Sequence, residues 1–303
     1  MDVKTLKQQY LEYLEIEKNR SPKTLENYNR YLDRFLQFAK ISSPVQLDEE
    51  KVRMFRLWLN RQTDRDGQPL KRITQNYHII AIRNFLKYLA KRGVKSVSPE
   101  KIELGKQEDR HVTFLENEEL NRLLDSPKGN DLDALRDKAI LSMLFSTGMR
   151  VSELCSLNRD KVDLKRGELS VLGKGRKIRL VFISDQARDH IGNYLDKRKD
   201  ADEALFIRIP KTGTYTKDSD LRLTPRSIQR IVKKHAVQAG IMGKKVSPHT
   251  LRHSYATDLL RNGADIRSVQ AMLGHSSVTT TQIYTHVTDT QLREVHKKYH
   301  GKK

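Results

Sequence analysis

Residues 247–285 read SPHTLRHSYATDLLRNGADIRSVQAMLGHSSVTTTQIYT, and the rest of the chain is best understood as what surrounds them. Leu251, Tyr255, Ala256, Leu259 and Leu260 recur at helical spacing, so residues 250–262 should form an amphipathic helix that Gly263 ends. Asp265 is placed to cap a second helix carrying Ile266, Val269, Met272 and Leu273, and Gly274 to close it. His275 then emerges at a helix end. Ser276 and Ser277 can cap the next segment, and the β-branched run Val278–Thr281 leads to Tyr284. The stretch thus sets His249, Arg252, His275 and Tyr284 on short helices and turns. A guanidinium binds phosphate bidentately, and an imidazole can donate, accept or move a proton near neutral pH, so the expected guest is a phosphate.

Charge points the same way. Lys and Arg number 58 against 38 Asp and Glu, a net charge of +20 over 303 residues. Residues 1–105 hold 21 basic and 13 acidic side chains, hence +8, which leaves +12 for the remainder. Both parts are basic, so both are expected to touch one polyanion, a nucleic acid. Cys155 is the one cysteine, which excludes an internal disulfide and a Cys-rich zinc site. Set among Val151, Leu154 and Leu157, it reads as a core residue. No apolar run approaches membrane-spanning length and the polar, amphipathic N-terminus is no signal peptide, so a cytoplasmic protein is expected.

The first hundred residues read as four helices. Leu6, Tyr10, Tyr13 and Leu14 mark one; Ser21 and Pro22 start a second with Leu25, Tyr28, Leu32, Phe35 and Leu36; Val52, Phe55 and Leu59 mark a third; Ile73 to Tyr88 a fourth, ending before Gly93. Tyrosines at this spacing are expected in the core or half-buried, not as base-stacking groups. Lys91–Thr113, with Gly93, Pro99, Gly105 and many charges, reads as the domain boundary, either an extended basic linker or a join between two domains packed against each other. This divides the chain into a domain 1–105 and a domain 106–303 with a C-terminal tail.

In the second part a helix over 116–124 precedes one striped by Leu135, Ala139, Ile140, Met143 and Leu144, which Gly148 breaks; Arg150 comes next, with Glu153 as its natural acid partner. Glu168–Leu172 and Ile178–Ile183 are β-rich around GKGRK, a hairpin with Lys174 at its tip. Ala204–Ile209 is a further possible strand, a polar loop spans 211–220, and Ile228, Ile231, Val232 and Ala236 mark a helix. Its Arg226, Gln229 and Arg230 are candidates for base contacts. The tail carries Leu292, Val295 and Tyr299 on one face, expected to pack on a neighbouring protomer.

TGMRVSEL, GKGRK, PHTLRHSYAT, LGHSS and IYTH, in this order and at these separations, resemble the motifs of the tyrosine recombinases, the phage integrase family. Length and domain content are most similar to the Xer-type members. The resemblance implies a mainly α fold with a small β-sheet (α+β): a helical, SAM-like core-binding domain and a catalytic domain, clamp-like around duplex DNA. It implies Arg150, Lys174, His249, Arg252, His275 and Tyr284 as the active-site positions, with no cofactor and no metal. Tyr284 would attack a phosphodiester to give a 3′-phosphotyrosine and a free 5′-hydroxyl. Two rounds through a Holliday junction would exchange strands within a homo-tetramer, or a hetero-tetramer with a paralogue, on inverted-repeat core sites. Chromosome-dimer resolution and mobile-element integration or excision are the expected roles.

The residues by themselves agree with that chemistry. Arginines can hold the non-bridging oxygens as charge builds in the transition state. A phenolate leaves well enough to make the linkage reversible, and His249 is expected to act as base and Lys174 as acid. Two alternatives stay open. One is a catalytically silent DNA-binding protein of the same fold. The other is a metallohydrolase built on His249 and His253 with His275 or His286, although HTLRH lacks the glutamate of the zinc hydrolase motif.

Overall fold

The computed structural model describes residues 2–64, 66–106, 112–173, 178–209, 220–275 and 277–284. The chain divides into two compact units, Met1–Asp109 and Arg110–Lys303. In the first, α1 (Val3–Ile16), α2 (Pro22–Ala39), α3 (Glu49–Asn60) and α4 (Arg72–Lys91) enclose one core. Ser21 caps α2 by accepting from Thr24 N, with Pro22 in the first turn, and Asp48 caps α3 through Lys51 N. Leu6, Tyr10, Leu32, Phe35, Phe55, Leu59, Phe85 and Leu86 are fully buried. Tyr10 packs against Phe85 and Tyr88 at ring-centroid distances of 5.4 and 5.2 Å, so these tyrosines do belong to the core. Tyr77 is the exception and lies exposed.

The expected linker is shorter than its composition suggests. Val94, Val97 and Ile102 pack on the first core, and the Asn76 amide holds Gly105 through its carbonyl at 2.8 Å and its N–H at 3.1 Å. Spaced apolar residues in a charged stretch suffice to hold the chain down as far as residue 105. On the other side Val112 and Leu115 already belong to the second unit, Leu115 N donating to Ser254 Oγ at 2.9 Å. Residues 107–111 lie outside the described set.

The second unit opens with α5 (Asn117–Leu124) and α6 (Leu132–Thr147). From Ala139 to Leu144, α6 is buried on all sides, so it forms the axis on which the other elements pack. After α7 (Val151–Cys155), β1 (Glu168–Leu172) and β2 (Ile178–Phe182) pair antiparallel with Ser170 opposite Leu180. Leu169, Val171 and Val181 face the core, whereas Ile178, Leu180 and Phe182 are exposed. Then come α8 (Asp185–Lys197), α9 (Pro225–Gln238), α10 (Pro248–Arg261), α11 (Ile266–Leu273) and a single turn, α12 (Thr279–Gln282). Asp265 caps α11 through Arg267 N and Ser268 N, and Gly274 ends it in the left-handed conformation, as its sequence implies.

Ala204–Ile209 does not form a strand of a sheet. It makes isolated bridges, Asn158 with Ala204 and Ile207 with Arg222, because its backbone pairs with the segments around 158 and 222 over runs too short to build a sheet. Ala204, Leu205, Phe206 and Ile207 are nevertheless buried. Arg136 on α6 donates to Ile207 O at 3.3 Å, and the adjoining Asp137 ties together Arg136, at 2.7 Å, and His235 Nε2 on α9, at 2.9 Å. Cys155 is half-buried against the core, and burial pushes its thiol up to about 11, which suits packing and not nucleophilic chemistry. No described helix is long and apolar enough to cross a membrane.

Gly148 ends α6 at φ +56°, and a Cβ there would lie 2.3 Å from Tyr255 Cδ1. Gly148→Ala combines left-handed strain with overpacking, a cost of about 3 kcal/mol. Calorimetry should show the unfolding transition of the second unit moved down by several degrees while that of the first stays in place.

Candidate active site

Three arginines from three elements converge on the end of one short helix. Arg179 Nε donates to Met272 O at 3.2 Å, an Arg252 amine to Leu273 O at 2.6 Å and an Arg150 amine to Gly274 O at 3.3 Å. These successive carbonyls are the unpaired acceptors at the C-terminus of α11, where the helix dipole is negative, so cations are favoured there. A second anchor sits opposite. Glu153, 5% exposed, accepts from Arg150 N and Arg150 Nη1 at 2.8 Å each, and from both amines of Arg179 at 2.9 and 2.7 Å. The pairing of Arg150 with Glu153 expected from the sequence is present; no motif or spacing marks Arg179. Its place on β2 brings it inward beside Val181.

Burial alone would raise the Glu153 carboxyl, but hydrogen bonds from Arg179 and Arg150 outweigh it and hold it at about 2. Arg252 is 4% exposed and bonds two carbonyls, Leu273 O and, at 2.5 Å, Gly148 O. Among the described residues no carboxylate lies within ion-pair distance of it. Burial, then Arg150 and Arg179, lower its guanidinium to about 10, still fully charged at neutral pH. Three guanidiniums facing one carboxylate leave the site doubly positive, which is the electrostatic counterpart of a phosphate group.

The histidines are neutral in this setting. His249 stands in the first turn of α10, where Ser247 caps the helix and Pro248 begins it; burial, then Arg252 and Arg150, lower its pKa. His275 comes directly after Gly274. Burial, then Arg252 and Arg150, bring it down to about 4, and its Nδ1 meets Thr281 Oγ1 at 3.0 Å. With the hydroxyl donating, Nε2 carries the ring proton and is a neutral hydrogen-bond donor.

Tyr284, two residues beyond α12, is 1% exposed. Burial raises its phenol to about 12, with Arg252 opposing the rise. The phenol oxygen lies 2.6 Å from Nδ1 of His253, not beside His249, to which no described hydrogen bond joins it. In the sequence His253 reads only as half of a metal pair. Among the described residues no group of three His, Cys, Asp or Glu could hold a metal ion. Lys174 and residues 285–303, and so the hairpin tip and the tail, lie outside the described set. Arg226, Gln229 and Arg230 are exposed on the outer side of α9, away from Ile228, Val232 and Ala236.

Residues 113–291 match the phage integrase family and residues 8–93 its N-terminal SAM-like domain. A tyrosine recombinase XerC of Thermodesulfovibrio yellowstonii is 34% identical over 292 residues, covering 96% of this chain and 94% of the relative. A tyrosine recombinase XerD of Oceanobacillus iheyensis is 35% identical, covering 96% of each. Among solved structures, the XerH site-specific recombinase bound to a palindromic difH substrate, in its post-cleavage complex, superposes with a TM-score of 0.70. It is 25% identical over 92% of this chain and 80% of that one. The chain therefore belongs to the phage integrase family, the tyrosine recombinases, enzymes that cleave and rejoin DNA strands in site-specific recombination.

Glu153→Gln should uncover how much the carboxylate contributes. Its folded pKa of about 2 is depressed from an unfolded value of about 4.3, so its stabilisation is complete above pH 4.3 and disappears as the pH falls through 2. The difference in unfolding free energy between wild type and Glu153→Gln should be about 3 kcal/mol at pH 7 and should narrow steadily below pH 5. Denaturant titrations across that range measure it.

Proposed function

We propose that Tyr284 is the nucleophile of this recombinase and that Arg150 and Arg252 bind the non-bridging oxygens of the scissile phosphate. The observation that carries this reading is the buried cationic cluster on the end of α11, with the Tyr284 phenol and His275 on the same short stretch of chain. The phenol oxygen bonds to phosphorus as the bond to the 5′-oxygen breaks, leaving a 3′-phosphotyrosine and a 5′-hydroxyl. Lys174 supplies the proton to the departing oxygen. His275 donates to a non-bridging oxygen through Nε2. His249, held neutral between burial and the two arginines, joins them as a ligand of the phosphate, which replaces the role of base expected for it.

Charge that builds on the phosphoryl oxygens meets donors already fixed by Glu153 and the α11 carbonyls, so little reorganisation accompanies the reaction. The phosphotyrosine conserves the energy of the broken bond, and attack by a second 5′-hydroxyl reverses the step without ATP. Two such rounds through a Holliday junction exchange the strands.

The domains expected at 1–105 and 106–303 act as a core-binding and a catalytic domain on duplex DNA with inverted-repeat sites, and four protomers, alike or paired with a paralogue, assemble on it. The tail beyond Tyr284 packs on the next protomer. Arg226, Gln229 and Arg230 read base edges from the exposed side of α9. A protein with this charge works in the cytoplasm, on the chromosome or on a mobile element, in dimer resolution or in integration and excision.

The decisive variant is Tyr284→Phe. Nicked duplex fragments from the genome that carries the gene are incubated with the protein, denatured, and sorted for DNA covalently bound to protein. Wild type should yield adducts at a recurrent site. Tyr284→Phe should hold the same DNA within about threefold in affinity and give no adduct. Adduct formation by that variant would show that another residue attacks.

A further inference from the structure

His253 comes next to Arg252 on α10 and is not among the six positions that the family resemblance implies. Its side chain is nevertheless the one bonded to the reacting atom, Nδ1 to the Tyr284 phenol oxygen at 2.6 Å, with the two rings 5.5 Å apart. The phenol is buried to 1% exposure and already in hydrogen-bond contact with this ring nitrogen, so His253 is the acceptor nearest to its proton.

We propose that His253 is the proton acceptor of the cleavage step. As the Tyr284 oxygen bonds to phosphorus and the bond to the 5′-oxygen breaks, the phenol proton passes to His253 Nδ1. When the strand is rejoined the same proton returns to the phenol oxygen. The proposal rests on Tyr284 being the nucleophile and on Lys174 protonating the departing oxygen.

The surroundings fit this assignment. Burial, then His249 and Arg252 on its own helix, bring His253 down to about 4, so at neutral pH the ring is uncharged and, with the proton on Nε2, its Nδ1 accepts from the phenol. From the segment after α11, His275, itself neutral, is within electrostatic reach. Burial and the nearby cation of Arg252 disfavour an imidazolium while the site is empty. An incoming phosphodiester brings a negative charge that offsets them, so the imidazole gains basicity when substrate is in place. The phenol becomes far more acidic as its oxygen bonds to phosphorus, and transfer to an acceptor already in hydrogen-bond contact then goes downhill.

The test uses single-turnover cleavage of a nicked duplex carrying the site recovered from trapped adducts, with the full chain and after DNA affinity has been measured. His253→Asn places an amide oxygen near Nδ1 that accepts a hydrogen bond but does not hold a proton; His253→Gln serves if that variant does not fold. The expected result is DNA affinity within about threefold of wild type and a cleavage rate lower by roughly 10²–10⁴-fold. The residual rate should climb about tenfold per pH unit between 7 and 9, as hydroxide takes over the proton, while the wild type and His249→Asn stay flat. A His253→Asn rate within about threefold of wild type, or a loss with no change in pH profile, would overturn the proposal and leave His253 a positioning residue. An adduct formed by Tyr284→Phe would instead refute the nucleophile itself, so the two failures are told apart.

Discussion

The site depends on one arrangement, the delivery of three guanidiniums to the last carbonyls of α11. A helix C-terminus leaves acceptors without intrahelical partners, and these need donors from elsewhere. Met272, Leu273 and Gly274 find theirs in Arg179, Arg252 and Arg150, side chains from β2, α10 and the turn before α7. One event, the ending of α11 at Gly274, therefore fixes three cations and also the departure point of His275. Gly274 is required there on two counts: its φ is +63°, and a Cβ would stand 2.9 Å from Arg179 Cδ. The hairpin, α6 and α10 are the scaffold that brings these arginines within reach.

Cations packed so closely repel one another, and the fold limits that repulsion without cancelling it. Glu153 neutralises one charge and braces Arg150 and Arg179, while the carbonyl dipoles accept the remaining N–H groups. The surplus stays in the interior, next to a phenol and neutral imidazoles. Such a site is strained when empty and relaxed by an anion, so substrate charge is part of the completed structure. Burial first, and then the same surplus, keep the histidines unprotonated, which allows one of them to accept a proton at neutral pH.

Much of this is legible in the sequence, and the parts that are not have definite causes. Caps and stops are local, so Ser21 with Pro22, Asp265, Gly148 and Gly274 mark true helix ends. Four of the five family motifs bring Arg150, His249, Arg252, His275 and Tyr284 into one unit because their spacing reflects one fold. Arg179 escapes a sequence reading because alternation along β2 favours burying Ile178, Leu180 and Phe182, yet these are exposed. The strand turns the other way so that Arg179 can reach Glu153 and Met272. His253 sits one helical turn after His249, a spacing that suggests metal ligation. Its real partner lies 31 residues on, at a distance no periodicity records. Ala204–Ile209 has a strand's composition but pairs only through isolated bridges, and the length of pairing is a property of the tertiary fold.

The central claim is that Arg252, buried and bonded only to carbonyls among the described residues, acts on the negative charge of the scissile phosphate. Cleavage rates on a normal phosphodiester and on a neutral methylphosphonate at the same position, for wild type and Arg252→Ala, test it most directly. The account predicts a loss of at least about 100-fold on the phosphodiester and of less than about tenfold on the methylphosphonate, which has no charge to balance. Equal losses on both substrates would contradict it.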